Sequence, residues 1–159
     1  RAEQGWLLTG QASWTEAGAE VSLLYGVRCD PDWATLSADI TGECGGVPVA
    51  LRIQSGPEGW RLNDVLQPAV AGCLDLDLSF TPATNLLPLR RLAPEGTAQV
   101  RAAWLVPALD RLELLEQRYT PCGAGAVDYA SDIFRARLGL HPSGFVTHYP
   151  GLWEGWVDD

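Results

Sequence analysis

The chain has 159 residues, of which 47% are apolar and 19% are charged, the ordinary balance of a globular protein. A chain of this length can form one domain whose core needs neither a metal nor a disulfide to hold it. Its eleven basic residues are all arginine and its formal net charge is −9, which argues against binding to nucleic acids or to anionic lipid surfaces.

The cysteines and histidines predict no metal site and no cofactor. Cys29, Cys44, Cys73 and Cys122 form no close pair of the kind that a zinc site uses, so we interpret them as buried thiols in a reducing compartment. No apolar run reaches the length of about 18 residues that a membrane-spanning segment needs. We therefore expect a cytoplasmic protein without a transmembrane segment, although the chain begins at Arg1 rather than Met, which leaves a trimmed leader open.

Alternation of apolar and other residues dominates the chain. Apolar residues occupy every second position in five segments, which are 21–29, 47–53, 74–80, 100–106 and 134–140. Such runs are typical of half-buried β-strands. The segment 110–119 has apolar residues at both helical and strand spacing, and we favour a strand. The segment 144–153 is interpreted as a last strand ending at a Pro-Gly turn.

Turn residues separate these runs and indicate how the strands connect. They cluster at 42–46, 56–59, 94–96, 122–125 and 141–144. Intervals of about a dozen residues favour consecutive hairpins over βαβ crossovers. The sequence therefore predicts a mainly β fold with little helix, a long antiparallel meander rolled on itself as a half-open barrel, in a single domain over 1–159. A rolled sheet can leave an apolar groove for a ligand, and seven tryptophans supply rings for a core or a lined pocket.

The densest group of polar side chains lies in the segment 72–92. Asp75 and Asp77 alternate with leucines, which places their Cα atoms about 6.6 Å apart on a strand. Two carboxylates so close repel each other unless a cation binds them or one of them keeps its proton. Arg90 and Arg91 follow a Pro-bounded turn, and if this turn folds back, one arginine could bind the carboxylate pair bidentately.

Three interpretations of these aspartates remain open. They could form a solvated strand face with cross-strand ion pairs. With Asn85 and an arginine, they could form a polar rim that holds the hydroxyl-rich head of a ligand. They could also perform acid–base catalysis, because retaining glycosidases place two carboxyl groups about 5–5.5 Å apart. No nucleophile set is recognisable, since Ser55 and Ser143 lack the Gly-x-Ser-x-Gly frame, and no catalytic residue is predicted.

The segment 72–92 resembles the central motif of the bacterial glycolipid-binding family. Its sequence is Gly-Cys-Leu-Asp-Leu-Asp-Leu-Ser-Phe-Thr-Pro-Ala-Thr-Asn-Leu-Leu-Pro-Leu-Arg-Arg-Leu. Supporting pieces lie in the family's order at 25–33, 117–119 and 144–153, so the likeness covers nearly the whole chain. Two positions depart from the family's pattern, since Ala83 stands where an aromatic is common and Leu86 where Thr is common.

This resemblance implies a spiral β-roll, similar in shape to the periplasmic lipoprotein-localisation factors, with a concave apolar interior that holds a lipid or glycolipid. Carried onto the matching positions, it marks ten motif residues, which are Asp75, Asp77, Thr81, Thr84, Asn85, Arg90, Arg91, Gln117, Arg118 and Tyr149. They could bind the ligand, or they could lock the roll through buried Arg–Asp pairs.

Three functions are therefore compared. The expected one is a lipid-binding or glycolipid-binding carrier without enzymatic activity. The first alternative is a hydrolase that acts on a glycoconjugate or an ester through Asp75 and Asp77. The second alternative is a non-catalytic interaction scaffold, a homodimer joined along a sheet edge.

Overall fold

The computed structural model describes residues 5–92, 96–123 and 125–158. These residues form a mainly β fold with two sheets, one of which curls as a half-barrel, so the predicted fold class is confirmed. The strands are β1 (Trp6–Glu16), β2 (Ala19–Cys29), β3 (Thr35–Cys44), β4 (Val47–Gly56), β5 (Gly59–Leu62), β6 (Val65–Leu66), β7 (Asp75–Leu78), β8 (Ala98–Leu105), β9 (Leu112–Pro121), β10 (Ala126–Ser131), β11 (Arg135–Leu140), β12 (Val146–Tyr149) and β13 (Trp153–Glu154).

Helical structure is short, as predicted. One turn of α-helix, α1 (Leu86–Leu89), and two 3-10 turns, Pro68–Val70 and Pro82–Asn85, interrupt the strands. No helix among the described residues is long and apolar enough to cross a lipid bilayer. None of the four cysteines, which all lie within the described residues, forms a disulfide, and two are buried and two half-buried.

Residue contacts divide the chain into two compact units, residues 1–72 and residues 73–159. Each unit contains one sheet, with β1 to β6 in the first and β7 to β13 in the second. The single domain over 1–159 stays a prediction, and the two units are described separately.

The sheet of the first unit is a meander in which every strand pairs antiparallel with the next. Its strands alternate as the period-two pattern predicts, and the buried side chains include Leu23, Val27, Ile40 and Ile53. Three of its hairpins turn over two residues that both have positive φ, at 17–18, 45–46 and 63–64. This is the backbone of the tight turn that fits the right-handed twist of paired strands.

The sheet of the second unit departs from the predicted antiparallel meander at one pair. Its strand order is β13-β12-β11-β10-β9-β8-β7, and β7 runs parallel to β8. The expectation of hairpins throughout is therefore wrong for this connection. A parallel pair needs a crossover, and the residues between β7 and β8 supply it with the Pro82–Asn85 turn and α1.

Most predicted strands match observed ones. The strand favoured over 110–119 is confirmed as β9, while the run 74–80 contains a shorter strand, β7. Leu74 lies outside that strand and is exposed. The strands outside the predicted runs are β1, β3, β5, β6 and β10. Of the turn predicted at 94–96, Pro94 and Glu95 lie outside the described residues.

Candidate functional site

The aspartates of the central motif lie on β7, at the edge of the second sheet. Asp75 stands beside Ala102 of β8, and Asp77 stands beside Trp104. Asp75 is only 4% exposed and Asp77 is half-buried. The interpretation of a solvated carboxylate face is therefore wrong for Asp75, because this strand buries Leu76 and Leu78 on one side and also Asp75 on the other.

Asp75 is neutralised by an arginine from the segment that follows the strand. The turn Pro82–Asn85 and α1 reverse the chain, and the Arg91 Nη2 atom lies 2.6 Å from Asp75 Oδ1 and 2.5 Å from Oδ2. Burial raises the pKa of Asp75, while the hydrogen bond and charge of Arg91 counteract that rise. The prediction that an arginine folds back onto this strand is confirmed. The prediction that it binds both aspartates is wrong, because Arg91 Nη2 contacts the two oxygens of Asp75 alone.

Asp77 is held instead by an amide. The Gln117 Nε2 atom of β9 donates to Asp77 Oδ2 at 2.5 Å and also lies 3.2 Å from the Tyr129 hydroxyl oxygen. The side chain of Gln117 is buried away from water, so its amide must find its hydrogen-bond partners within the protein. A neutral partner leaves the carboxylate charge uncompensated, unlike the arginine beside Asp75.

The electrostatic consequence is a carboxyl group that titrates near neutrality. Burial, with a smaller contribution from the charge of Asp75, raises the pKa of Asp77 from 3.8 to about 6, although the hydrogen bond from Gln117 opposes the rise. Burial and the nearby charge of Asp77 also raise the pKa of the Tyr119 hydroxyl well above its usual value. Burial and the charge of Asp77 raise the pKa of Tyr129 as well. The hydroxyls of Tyr119 and Tyr129 therefore remain protonated and able to donate.

The hydrogen-bonded chain continues from Gln117 to the turn after β7. The Tyr119 hydroxyl donates to Gln117 Oε1 at 3.3 Å, and Asn85 Nδ2 donates to the Tyr119 oxygen at 2.7 Å. Among the described residues, every buried side-chain nitrogen and oxygen has a hydrogen-bond partner. Two neighbouring groups of side chains together form what we call the polar cluster. One is the hydrogen-bonded group of Asp77, Asn85, Gln117, Tyr119 and Tyr129, and the other is the ion pair of Asp75 and Arg91.

The two threonines of the motif hold the turn rather than the cluster. The Thr81 hydroxyl accepts a hydrogen bond from the Ala83 backbone N–H at 3.3 Å, as an N-cap residue does. The Thr84 hydroxyl accepts one from the Leu78 N–H at 3.2 Å. These bonds tie the turn to the end of β7, which positions Asn85 and Arg91.

Aromatic rings cover one side of the cluster. The ring of Tyr129 lies 5.2 Å from that of Tyr119 and 6.1 Å from that of Tyr149, and Phe134 lies 5.6 Å from Tyr149. Tyr149, a predicted motif residue, thus reaches the cluster by ring contact with Tyr129. Its phenol is half-buried, and burial raises its pKa.

Comparison with known proteins identifies the family of this chain. A family model described as "Putative glycolipid-binding" matches residues 1–155. The chain belongs to this family. The resemblance drawn from the segment 72–92 is thereby confirmed, and the family's description supports a lipid ligand without specifying one.

A solved structure shares the fold of this family member. The chain is similar to a DUF1089 family protein from Pseudomonas aeruginosa, known from a crystal structure, at 29% sequence identity and a TM-score of 0.78. The similarity covers 98% of this chain and 94% of that one. No curated protein matches the chain.

Two of the ten motif residues lie away from the polar cluster. Arg118 follows Gln117 on β9, so strand alternation turns it to the opposite, exposed face of the sheet. Arg90 is exposed beside the loop at Gly144, where a Cβ atom would lie 3.7 Å from the Arg90 Nε atom. The other eight form the cluster, hold its turn or contact its rings.

Sequence reasoning did not assign two tyrosines that complete the cluster. Tyr119 stands two residues after Gln117, and this spacing on a strand would have placed both on one face. Nothing in the sequence marks Tyr129, which reaches Tyr119 because β10 pairs with β9 at these two residues.

The polar cluster contains one aspartate that is paired with an arginine and one that is bound by a neutral amide. Arg91 forms an ion pair with Asp75, while Asp77 has a pKa of about 6 and no cationic partner in its hydrogen bond. No group of three or more His, Cys, Asp or Glu side chains within the described ranges could hold a metal ion. The cluster therefore offers hydrogen-bond donors and two carboxyl groups, one of which is paired with an arginine.

Proposed function

We propose that this protein binds an amphiphilic, glycolipid-type ligand through the apolar face of its first sheet, and that it acts by binding rather than by catalysis. The observation that carries the proposal is that apolar side chains on this face continue past the buried core into positions that are half-buried or exposed. In register across β1 to β4, Trp14, Val21, Cys44 and Val47 form one row. Within that row Val21 is buried, Trp14 and Cys44 are half-buried, and Val47 is 65% exposed.

The neighbouring row continues the same surface. Ala12 and Val49 flank Leu23 and Gly42, and both are half-buried. We call Ala12, Trp14, Cys44, Val47 and Val49 the open apolar end of the first sheet. Side chains of this kind bind hydrocarbon by removing it from water, at about 25 cal/mol per Å² of apolar surface. An acyl chain is the occupant that the family's description supports.

The face on the other side of the same strands supplies a built-in comparison. Ala50 and Arg52 alternate with Val49 and Leu51 on β4 and are exposed. An acyl chain bound at the open apolar end would contact Val49 and not Ala50. The two adjacent positions therefore distinguish specific binding from general adhesion of lipid to the protein.

The experiment is lipid binding by native mass spectrometry and by lipid titration with tryptophan fluorescence. We expect the wild-type protein to bind a single-chain or double-chain glycolipid. Val49→Asp should weaken binding at least tenfold, because it places a charge against the acyl chain, and Val49→Thr should weaken it less. Ala50→Asp, which adds the same charge on the opposite face, should bind as the wild type does. Absence of any bound acyl species, or equal loss in both aspartate variants, would overturn the proposal.

The rival function is a hydrolase that uses the polar cluster. The pKa of Asp77, near 6, is the observation that favours it, because a general acid or base works best when its pKa is close to the working pH. Against it, Asp75 is bound by Arg91, so the two carboxylates do not form a free pair. Turnover of a glycoside or ester that disappears in Asp77→Asn, with the fold retained, would favour the hydrolase.

Two further predictions accompany the binding function. The cytoplasmic location is testable by cell fractionation. The alternative of a homodimer joined along a sheet edge predicts twice the monomer mass in light scattering, with or without lipid.

A further inference from the structure

An open groove lies on the face of the second sheet that carries Arg118. Its volume is about 640 Å³, and strands β8 to β11 contribute its lining. The pairing of β9 with β10 places Arg118 beside Ala130, and the pairing of β10 with β11 places Ala130 beside Arg135. Neighbouring strands are about 4.8 Å apart, so the two arginines stand about 10 Å apart at Cα, with only a methyl group between them. Two arginine side chains with this spacing can reach the same small ligand.

Neither of these arginines is neutralised by the protein. Within the ranges that the structure describes, Arg118 and Arg135 form no ion pair. Asp128 also lines the groove, but it is bound by Arg137, with Nε at 2.8 Å from one carboxylate oxygen and Nη2 at 3.1 Å from the other. The groove is therefore locally positive in a protein whose net charge is −9.

Three further side chains of the lining, those of Thr97, Gln99 and Thr120, are polar and uncharged. Gln99 of β8 stands opposite Arg118 in register. The hydroxyl oxygens of Thr97 and Thr120 lie 3.2 Å apart at the same groove. Amide and hydroxyl groups can both donate to and accept from the hydroxyls of a ligand, while the guanidinium fork of arginine matches the oxygens of a phosphate.

We propose that this groove binds a sugar phosphate, with Arg118 and Arg135 holding the phosphate oxygens, and Gln99 and the hydroxyls of Thr97 and Thr120 holding the sugar. The phosphate belongs either to a soluble sugar phosphate or to the phosphorylated sugar head of a lipid, since both present the same chemistry. The inference does not rest on the acyl-chain proposal, because it uses residues of the second sheet alone. A substitution at Val49 therefore tests the acyl-chain proposal alone, and a substitution at Arg118 tests the sugar-phosphate proposal alone.

The first experiment is calorimetric titration of the full chain with glucose 6-phosphate, inorganic phosphate and glucose. Glucose 6-phosphate should bind more tightly than either of the other two, and its dissociation constant should rise with salt concentration. In a second arm, the protein is sedimented with phosphatidylcholine vesicles that contain or lack phosphatidylinositol 4-phosphate. Binding in either arm supports the proposal and identifies the source of the phosphate. Absence of binding in both arms, or equal affinity for glucose and glucose 6-phosphate, overturns it.

Variants then assign the binding to the groove. Arg118→Gln and Arg135→Gln should each weaken binding of the phosphate ligand at least tenfold, and Ala130→Glu should abolish it by placing a carboxylate between the two arginines. Arg101→Gln removes the same charge from an exposed position of β8 outside the groove lining, so it should change the affinity less than threefold. Unchanged thermal midpoints would show that the variants fold. Affinities within twofold of wild type in both groove variants, or an equal loss in Arg101→Gln, would overturn the assignment.

Discussion

The Nε2 atom of Gln117 lies 2.5 Å from the Oδ2 atom of Asp77, across forty positions of the sequence. This contact joins β9 to the edge strand β7 and brings an uncompensated carboxyl group next to two tyrosine hydroxyls. The polar cluster thus contains two aspartates in different electrostatic settings, because Asp75 has a cationic partner and Asp77 has a neutral one.

The stability of the protein should depend on pH through Asp77. Its pKa is about 6 in the folded protein and 3.8 ordinarily, so the folded state holds the proton more tightly. The contribution of this group to stability is therefore fully present below about pH 4 and is lost as the pH rises through 6. Asp77→Asn should remove this dependence and raise the free energy of unfolding at pH 7.5 by roughly 1–2 kcal/mol.

Urea denaturation between pH 4.5 and 7.5 measures that difference. The exposed Asp132 provides a control, and Asp132→Asn should follow the wild-type curve. Because Asp75 remains in both proteins, its own raised pKa cancels in the comparison. An identical pH slope in wild type and Asp77→Asn would show that Asp77 is ionised normally.

Breaking the pair of Asp75 and Arg91 should destabilise the second unit strongly. Arg91→Ala leaves the Asp75 carboxylate, 4% exposed, without its cation, and loss of one partner of a buried pair costs about 3–5 kcal/mol. The side chain of Arg91 is 28% exposed, which places the expected loss toward the lower end of that range.

A double-mutant cycle separates the pair from its parts. Asp75→Asn combined with Arg91→Ala should be less destabilised than the sum of the single variants, because no buried charge is left over. The exposed pair of Arg111 and Glu113 is the matched control, since Arg111→Ala should leave the free energy of unfolding nearly unchanged. If the losses in free energy of unfolding for Asp75→Asn and Arg91→Ala simply add in the double variant, the ion pair does not stabilise the turn.

Tyr119 should be important for its hydroxyl group rather than for its ring. In Tyr119→Phe, Asn85 loses its acceptor and Gln117 loses a donor, and both side chains are buried. An unsatisfied buried polar group costs about 1–3 kcal/mol. Thermal unfolding should show the loss, and Phe134→Tyr, which alters a half-buried ring without breaking a hydrogen bond, should be nearly neutral. A Tyr119→Phe protein as stable as wild type would contradict the hydrogen-bond network.

In the first sheet, Gly10 should be intolerant of a side chain. A Cβ atom there would lie 2.3 Å from the hydroxyl oxygen and 2.5 Å from Cζ of Tyr25, so the Tyr25 ring lies directly over the glycine. Gly10→Ala must displace that ring, at an expected cost of about 1–3 kcal/mol. Gly26→Ala is the control on the paired strand, because its nearest atom would be 3.8 Å away. Denaturant midpoints of the two variants test the difference, and equal midpoints would contradict the ring's position.

The sequence alone predicted several of the strands, because the alternation of apolar residues is a local property that a half-buried strand has. It also marked the central motif, since the leucines, aspartates and arginines of 72–92 are contiguous in the chain. Even the choice of strand over helix for 110–119, where both spacings occurred, agreed with β9.

Tertiary structure alone decided which of these side chains meet. Alternation assigns Asp75 and Asp77 to one side of β7, but only the return of Arg91 and the pairing of β7 with β8 bury Asp75. The parallel direction of that pair, the contact of Gln117 with Asp77, and the register that brings Tyr129 to Tyr119 all join residues distant in sequence. Such contacts depend on how separate strands are placed beside one another, and no local pattern of residues encodes that placement.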